Sequence, residues 1–388
     1  MIKVNSEQRK VGLALSGGGF RASIFHMGVL RRLNELNILN KIDVISTVSG
    51  GSIVGTYYVV NKDRWTGIQM LEEDFKKGLK ANIRLRGLTC SWAFHPFLFV
   101  RSLAPGFSRT NILAREYSEH FFGETTLGQL PVTPKLIINA TSLNTGQVWK
   151  FSRDGIGDYK FGFSSVPDFI LANAVGASAA VPGLFAPLVM RKKHLKNMQV
   201  KPPYTYKRIN LSDGGVRDNQ GLTSIFSEKC DYVICSDASG LIDYSEKPSK
   251  FAFKVLLRSN SITMDASRDW AIQLLYRKKE YKEIKQMAFF DLEDEIKSGD
   301  PCLPSRLINI VANMRTDLDC FSDDEIFTLM YHGYTLLDHR IKKYANDLLQ
   351  PENDNSLKWT EEFSDERIEM LKHSLRKSHK KRLRPHKF

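Results

Sequence analysis

Three glycine-rich stretches each set a reactive or charge-stabilising group at the end of an apolar run. In "STVSGGS" (46–52), Ser49 follows the β-branched run "KIDVI" (41–45) and precedes "IVGTYYVV" (53–60), which reads as the start of a helix. A strand, sharp turn and helix there would hold the hydroxyl outward, with Gly50 and Gly51 letting neighbouring backbone come close, the geometry of a nucleophile elbow. In "SGGGFR" (16–21), Gly17, Gly18 and Gly19 lead from the strand-like "KVGLALS" (10–16) into the helix-forming "FRASIFHMGVLRRLNEL" (20–36). Their amides would face an anion or oxyanion at the helix N-terminus. In "LSDGGVRDNQG" (211–221), Asp213 closes another strand beside a glycine turn, at the edge where open α/β sheets bind ligands. Singly, each stretch has a plainer reading: an ordinary loop, a tight turn with close helix packing, an Asp-Gly-Gly turn. Together, an exposed serine, an amide cradle and a carboxylate at three strand ends make a more specific set. The glycine run is neither GxxxxGK nor GxGxxG, which sets nucleotide sites aside.

The elements that would carry these groups alternate along the chain. Further strands are expected over "KLIINAT" (135–141), "QVWKF" (147–151), "KRINL" (207–211) and "DYVICS" (231–236), with helical segments between them. That alternation predicts an α/β sheet with helices on its faces. Helices are expected over 264–287 and 322–346, the second opened by Ser322 as N-cap and an acidic first turn. "PENDNS" (351–356) reads as a linker, and the last helix starts acidic at Glu361 and ends basic. The organisation expected is one domain to about residue 350 and a charged extension over 351–388. The uncharged stretch 169–190 is long enough to flag a membrane span. Asn173, Ser178, Pro182, Gly183 and Pro187 interrupt it, so a buried helix ending near Ala180 and an apolar loop are expected instead.

With 42% hydrophobic and 26% charged residues, the 388-residue chain is not a largely disordered one. Its first ten residues hold no apolar run, so no secretory leader is read there and a cytoplasmic location is expected. Five cysteines without a CxxC pair suit reduced thiols better than a disulfide framework or a zinc site. The net charge of +13 is uneven, since Lys372–Phe388 holds eight Lys or Arg and no acid. Such a tail reads first as a solvated end and second as a device for binding anionic lipid or nucleic acid. "SWAFHPFLFVRS" (91–102), with Arg84, Arg86 and Arg101 around Trp92, Phe94, Phe97 and Phe99, reads as a cap near 84–103. Packing over the sheet is favoured for it above contact with a membrane interface.

In order, "GLALSGGGFRASIFHMGVLRRL" (12–33), "VSGGS" (48–52), "ASAAVPGLFAPL" (177–188) and "SDGGVRDNQG" (212–221) resemble the patatin-like phospholipase family. The resemblance implies a patatin-like three-layer sandwich, with a central mixed, mainly parallel sheet and helices on both faces, and a Ser-Asp dyad that hydrolyses acyl esters of phospholipids, without metal or organic cofactor. It makes Ser49 the nucleophile, Asp213 its base, and Gly17, Gly18 and Gly19 the oxyanion hole. Arg21 would support that loop or meet an anionic headgroup. His26 reads as structural. No specific nucleic acid partner is expected, peripheral association with an anionic membrane is the second reading of the tail, and oligomeric state is left open. Other esterase specificities and a silent lipid-binding module are the alternatives. Thr47 departs from Gly-x-Ser-x-Gly, crowding the elbow and leaving Ser46 and Ser52 as weaker nucleophile candidates.

Overall fold

The computed structural model describes residues 9–63, 67–79, 109–191, 195, 198, 200, 203–240, 244–297 and 299–379. Its central strands are short apolar runs: Val11–Leu15 (β1) and Val44–Val48 (β2) are buried at every position, as parallel strands covered on both faces must be. Gly19–Glu35 (α1) joins them, and Gly50–Asn61 (α2) leaves β2 through a single residue, Ser49. Ile68–Leu79 (α3) and Arg109–Tyr117 (α4) precede Lys135–Ser142 (β3), Val148–Ser152 (β4), Gly155–Asp158 (β5) and Gly162–Ser164 (β6). Leu171–Ser178 (α5), Leu188–Arg191 (β7), Arg208–Asp213 (β8), Leu222–Ser227 (α6) and Tyr232–Asp237 (β9) follow. The chain continues through Ala252–Glu280 (α7), Gln286–Asp291 (β10), Ser305–Ala312 (α8), Asp323–Tyr344 (α9) and Asp365–His379 (α10).

The sheet order is β10-β9-β1-β2-β3-β4-β5-β6, parallel from β10 to β3 and antiparallel beyond. Side chains alternate between two cores. Leu13 and Leu15 of β1 join the larger one with α1, α2 and α9, whereas Ala14 joins Leu222, Ile225, Val233, Cys235 and Leu275 on the opposite face. The expected α/β sandwich with helices on both faces is present.

One feature of the pairing positions the site. β3 gives one edge to β4 over Ile138–Thr141. Its other edge is shared: β2 takes Lys135–Asn139 in parallel, and β8 takes Ala140–Ser142 from the opposite direction. β2 and β8 therefore meet end to end on the same edge of β3, with Val48 opposite Asn139 and Asp213 opposite Ala140. Ser49 turns out of the sheet at that seam.

The expected helix over 264–287 is instead α7, which starts earlier and stops at Glu280; Lys282 then adopts φ 60°, and Gln286–Asp291 pairs with β9 as a strand. Ladder hydrogen bonds to β9 outweigh the local helix propensity of that charged segment. The uncharged stretch 169–190 becomes α5, a loop and then β7. No helix among the described residues is long and apolar enough to cross a membrane. Ser322 caps α9 in a capping box with Glu325, as expected. Beyond residue 350 the chain packs onto the body: Ile368, Leu371 and Leu375 enter the larger core, and Trp359 meets the rings of Tyr331 and Tyr334. The aromatic segment 84–103 and the tail from residue 380 lie outside the described residues.

Candidate active site

Ser49 holds φ 48° and ψ −115°, a conformation that costs a residue with a Cβ about 1–3 kcal/mol and persists only where its surroundings enforce it. The surroundings here are a buried polar network. The Ser49 amide donates to Ser178 Oγ at 2.9 Å, and Ser178 Oγ donates to the Asn139 carbonyl at 2.6 Å. Asn139 Nδ2 donates to Ser46 Oγ and to the Thr47 carbonyl, both at 2.9 Å, while Ser224 Oγ donates to Asn139 Oδ1 at 2.6 Å. Ser46 and Ser52 are buried members of this network, Ser52 Oγ lying 2.9 Å from Ser178 Oγ. Gly50 and Gly51 are glycine for want of room, because a Cβ would fall 2.0 Å from the Gly19 carbonyl oxygen and 2.3 Å from that of Leu15.

Thr47 fits where a glycine was expected. Its hydroxyl donates to the Ile137 carbonyl and accepts from Ser52, and its methyl points at Gly55, where an added Cβ would lie only 2.7 Å away. The absence of a side chain at 55 makes the space for the branch at 47.

Gly17 differs from Gly18 and Gly19. Its amide donates to the Asn219 carbonyl at 2.9 Å and is not open, so its role is space: a Cβ would meet Asn219 Oδ1 at 2.3 Å and Ser49 Cβ at 3.2 Å. The amides of Gly18, Gly19 and Gly50 have no hydrogen-bond partner among the described residues. Gly18 (φ 137°) and Gly19 (φ 61°) take conformations that an L side chain resists. Arg21 is buried and donates to the carbonyls of Ala312, Met314 and Ala238, at 2.7, 2.8 and 3.1 Å, tying the start of α1 to two loops. Burial outweighs the nearby Asp237 and Glu293 and brings Arg21 down to about 10. His26 folds back beside the glycine run: Nε2 donates to the Ser16 carbonyl at 3.1 Å, leaving Nδ1 to accept from Ser236 Oγ at 2.9 Å. Burial brings it down to about 4, so it is neutral and structural.

Asp213 ends β8 in a buried position. Its Oδ1 accepts the Gly215 amide at 2.7 Å, while Oδ2 has no hydrogen-bond partner. Burial pushes this carboxyl up to about 7, against the Gly215 amide and the nearby Ser49 hydroxyl, which favour the charged form. That places its basicity beside that of a free imidazole, ~6.5. Ser49 is near enough to favour the charged carboxylate, while Oδ2 is left without a hydrogen bond. The buried Tyr117 hydroxyl, also without a hydrogen-bond partner, is pushed upward by burial and by Asp213.

Gly18, Gly19, Ser49 and Asp213 line one cavity of about 710 Å³, whose apolar wall includes Leu184, Phe185, Met264 and Leu318. The structure thus brings together the serine, the carboxylate and two of the three glycines at one opening, with Arg21 at its edge. Asn219 and Tyr117 were not expected here. Asn219 stood inside the quoted glycine cluster but has no reactive chemistry, and Tyr117 comes from a helix that carries no motif.

A hydroxyl on a strained strand-to-helix turn, a carboxyl with one open oxygen, and a glycine run with open amides define an α/β protein built around a serine at a sheet seam. Residues 13–225 match the patatin-like phospholipase family, and the chain belongs to that family. A patatin-like phospholipase domain-containing protein of Aspergillus clavatus is 27% identical over 208 residues, 54% of this chain and 26% of the relative, so the match spans about a quarter of that protein's length. Human GIVD cytosolic phospholipase A2 has a similar fold, with TM-score 0.55 and 13% identity over 88% of this chain and 60% of the human one. The same human protein in complex with a methyl gamma-linolenyl fluorophosphonate inhibitor and terbium chloride gives TM-score 0.51 and 12% identity over 98% and 61%.

Proposed function

We propose that the chain is a serine lipid acyl hydrolase acting on membrane phospholipids. Ser49 Oγ attacks the acyl carbonyl while Asp213 Oδ2 takes its proton, and the developing oxyanion is received by the amides of Gly18, Gly19 and Gly50. The proton passes to the departing lysolipid alkoxide, leaving an acyl-enzyme. Water, deprotonated by Asp213, then releases the fatty acid and restores Ser49. The observation that carries this reading is the end-to-end meeting of β2 and β8, which sets a serine at φ 48° against a buried carboxyl with an open oxygen. The apolar wall suits an acyl chain, and the cavity lies within the ~300–1,000 Å³ typical of ligand sites. Family membership and the A. clavatus relative's name point the same way.

Mass spectrometry of lipids after incubation with mixed phospholipid, triacylglycerol and acyl-thioester substrates tests the reading, alongside labelling by a fluorophosphonate. Wild type should release fatty acid chiefly from phospholipid and carry the label on Ser49; Ser49→Ala should do neither. Wild-type turnover in Ser49→Ala would overturn the nucleophile assignment. Preference for triacylglycerol or thioester would overturn the substrate class, and an unlabelled, inert wild type would leave a lipid-binding module.

A further inference from the structure

The first half of α7 is an apolar and basic helix with little covering it. Phe251, Leu256 and Ile262 are 66%, 64% and 53% exposed, and Val255 and Leu257 are exposed beside them. Phe251, Val255 and Ile262 share one stripe of the helix surface. From Lys247 to Met264 the chain carries Lys247, Lys250, Lys254 and Arg258 and no acid. Further along, the body grips the helix: Ser267 donates to the Arg217 carbonyl, Arg268 pairs with Asp237 and Asp291 at 2.6 and 2.9 Å, and Leu275 is buried. Soluble domains rarely leave so many neighbouring apolar side chains in water without a partner.

Position says what the partner is. Leu257 and Met264 of this same segment line the cavity that holds Ser49 and Asp213, and the exposed Val181 and Leu184 line it as well. An apolar surface continuous with the mouth of an acyl-sized cavity and flanked by Lys247, Lys250 and Lys254 matches the interface of an anionic bilayer. We infer that residues 247–264 are a membrane-docking face that seats the cavity mouth on anionic lipid. The inference deepens the proposed lipid hydrolysis and rests on it for the substrate, but the docking itself is a binding event.

The test is therefore made on binding, with the full chain carrying Ser49→Ala so that no hydrolysis intervenes. Flotation is measured on vesicles of phosphatidylcholine alone and of equal phosphatidylcholine and phosphatidylglycerol. Lys250→Gln with Lys254→Gln should weaken binding to the anionic vesicles on the order of tenfold or more, with little change on phosphatidylcholine, and added salt should erase the difference. Leu256→Ser with Ile262→Ser should weaken binding to both by on the order of tenfold. On a wild-type Ser49 background, both pairs should keep hydrolysis of a dispersed short-chain ester, which also reports that they fold. If that ester is not hydrolysed by the parent while vesicle binding still depends on these pairs, the enzymatic reading fails and the docking face stands. Unchanged vesicle binding in both pairs, dependence on residues 380–388 alone, or a dimer-to-monomer shift on Leu256→Ser with Ile262→Ser would overturn the docking face.

Discussion

Ser49 and Leu257 line the same cavity, yet they are held in opposite ways. Around Ser49, β2, β3, β8 and three helices converge, the backbone is strained, and Asn139, Ser178, Ser46 and Ser224 are hydrogen-bonded to one another or to the turn. Around Leu257, the first turns of α7 leave Val255, Leu256 and Leu257 itself exposed to solvent. A strained, reactive turn needs neighbours that leave it no alternative. A surface for a soft partner needs the reverse, since residues that stabilise the fold little are free to be shaped for binding.

The widest separation between the two regions is in rate. Ser49→Ala and Asp213→Asn should each lower kcat for a dispersed ester by at least about a thousandfold, and the double variant should be little worse, because the pair acts as a unit. Steady-state kinetics on a lipase-free preparation check it. Gly18→Ala comes next, at roughly a hundredfold or more in rate. It should also lower Tm, since a Cβ there would sit 2.6 Å from the Ala238 carbonyl oxygen at φ 137°.

A smaller effect lies in pH. Asp213 has its folded value raised to about 7 from the ordinary 3.8, so the native state holds a proton that the unfolded chain has released. Stability contributed by this group is therefore lost as pH rises from about 4 to 7, and the deficit stays constant above. Asp213→Asn should remove the deficit, raising stability at pH 8 by up to a few kcal/mol and leaving it unchanged near pH 4. Denaturant melts at the two pH values measure it. In the wild type, kcat/KM should climb through pH 7 as the carboxyl ionises.

Gly55→Ala should cost about 1–3 kcal/mol by overpacking Thr47, and Thr47→Ser, which removes the methyl and keeps the hydroxyl, should restore most of it. Thermal melts of both singles and the pair give the coupling. At the other extreme, Trp270→Ser, which removes an exposed side chain of α7, should change stability by no more than about 0.5 kcal/mol. A larger loss would show that this helix is held more like the seam.

The seam was legible in outline because its parts obey local rules. β1, the glycine run and α1, then β2, Ser49 and α2, follow from apolar runs that stop at small residues. The direction of β8 was not legible: a strand's orientation depends on what it pairs with, and "KRINL" reads the same either way. β5 and β6 are too short and glycine-rich to carry an alternation, and β10 borrows its conformation from β9. Gly17 resembled its neighbours in sequence; only the Asn219 carbonyl distinguishes it. Likewise the room for Thr47 comes from Gly55, eight residues on and in the next element, α2.

The sharing of one edge of β3 also sets the order of events during synthesis. Ser49 leaves the ribosome with β2, but the strand that brings Asp213 must still be made, which takes on the order of ten to thirty seconds at ~5–20 residues per second. β1 waits longer for β9, because Gly12 lies between Val44 and Val233, and Arg21 waits for the carbonyls of Ala312 and Met314. A growing chain therefore carries its serine long before it owns the carboxylate and the braced glycine loop. On the proposed mechanism, a chain stopped before β8 carries Ser49 without Asp213, and leaves unpaired the stretch of β3 edge over Ala140–Ser142 that β8 would cover.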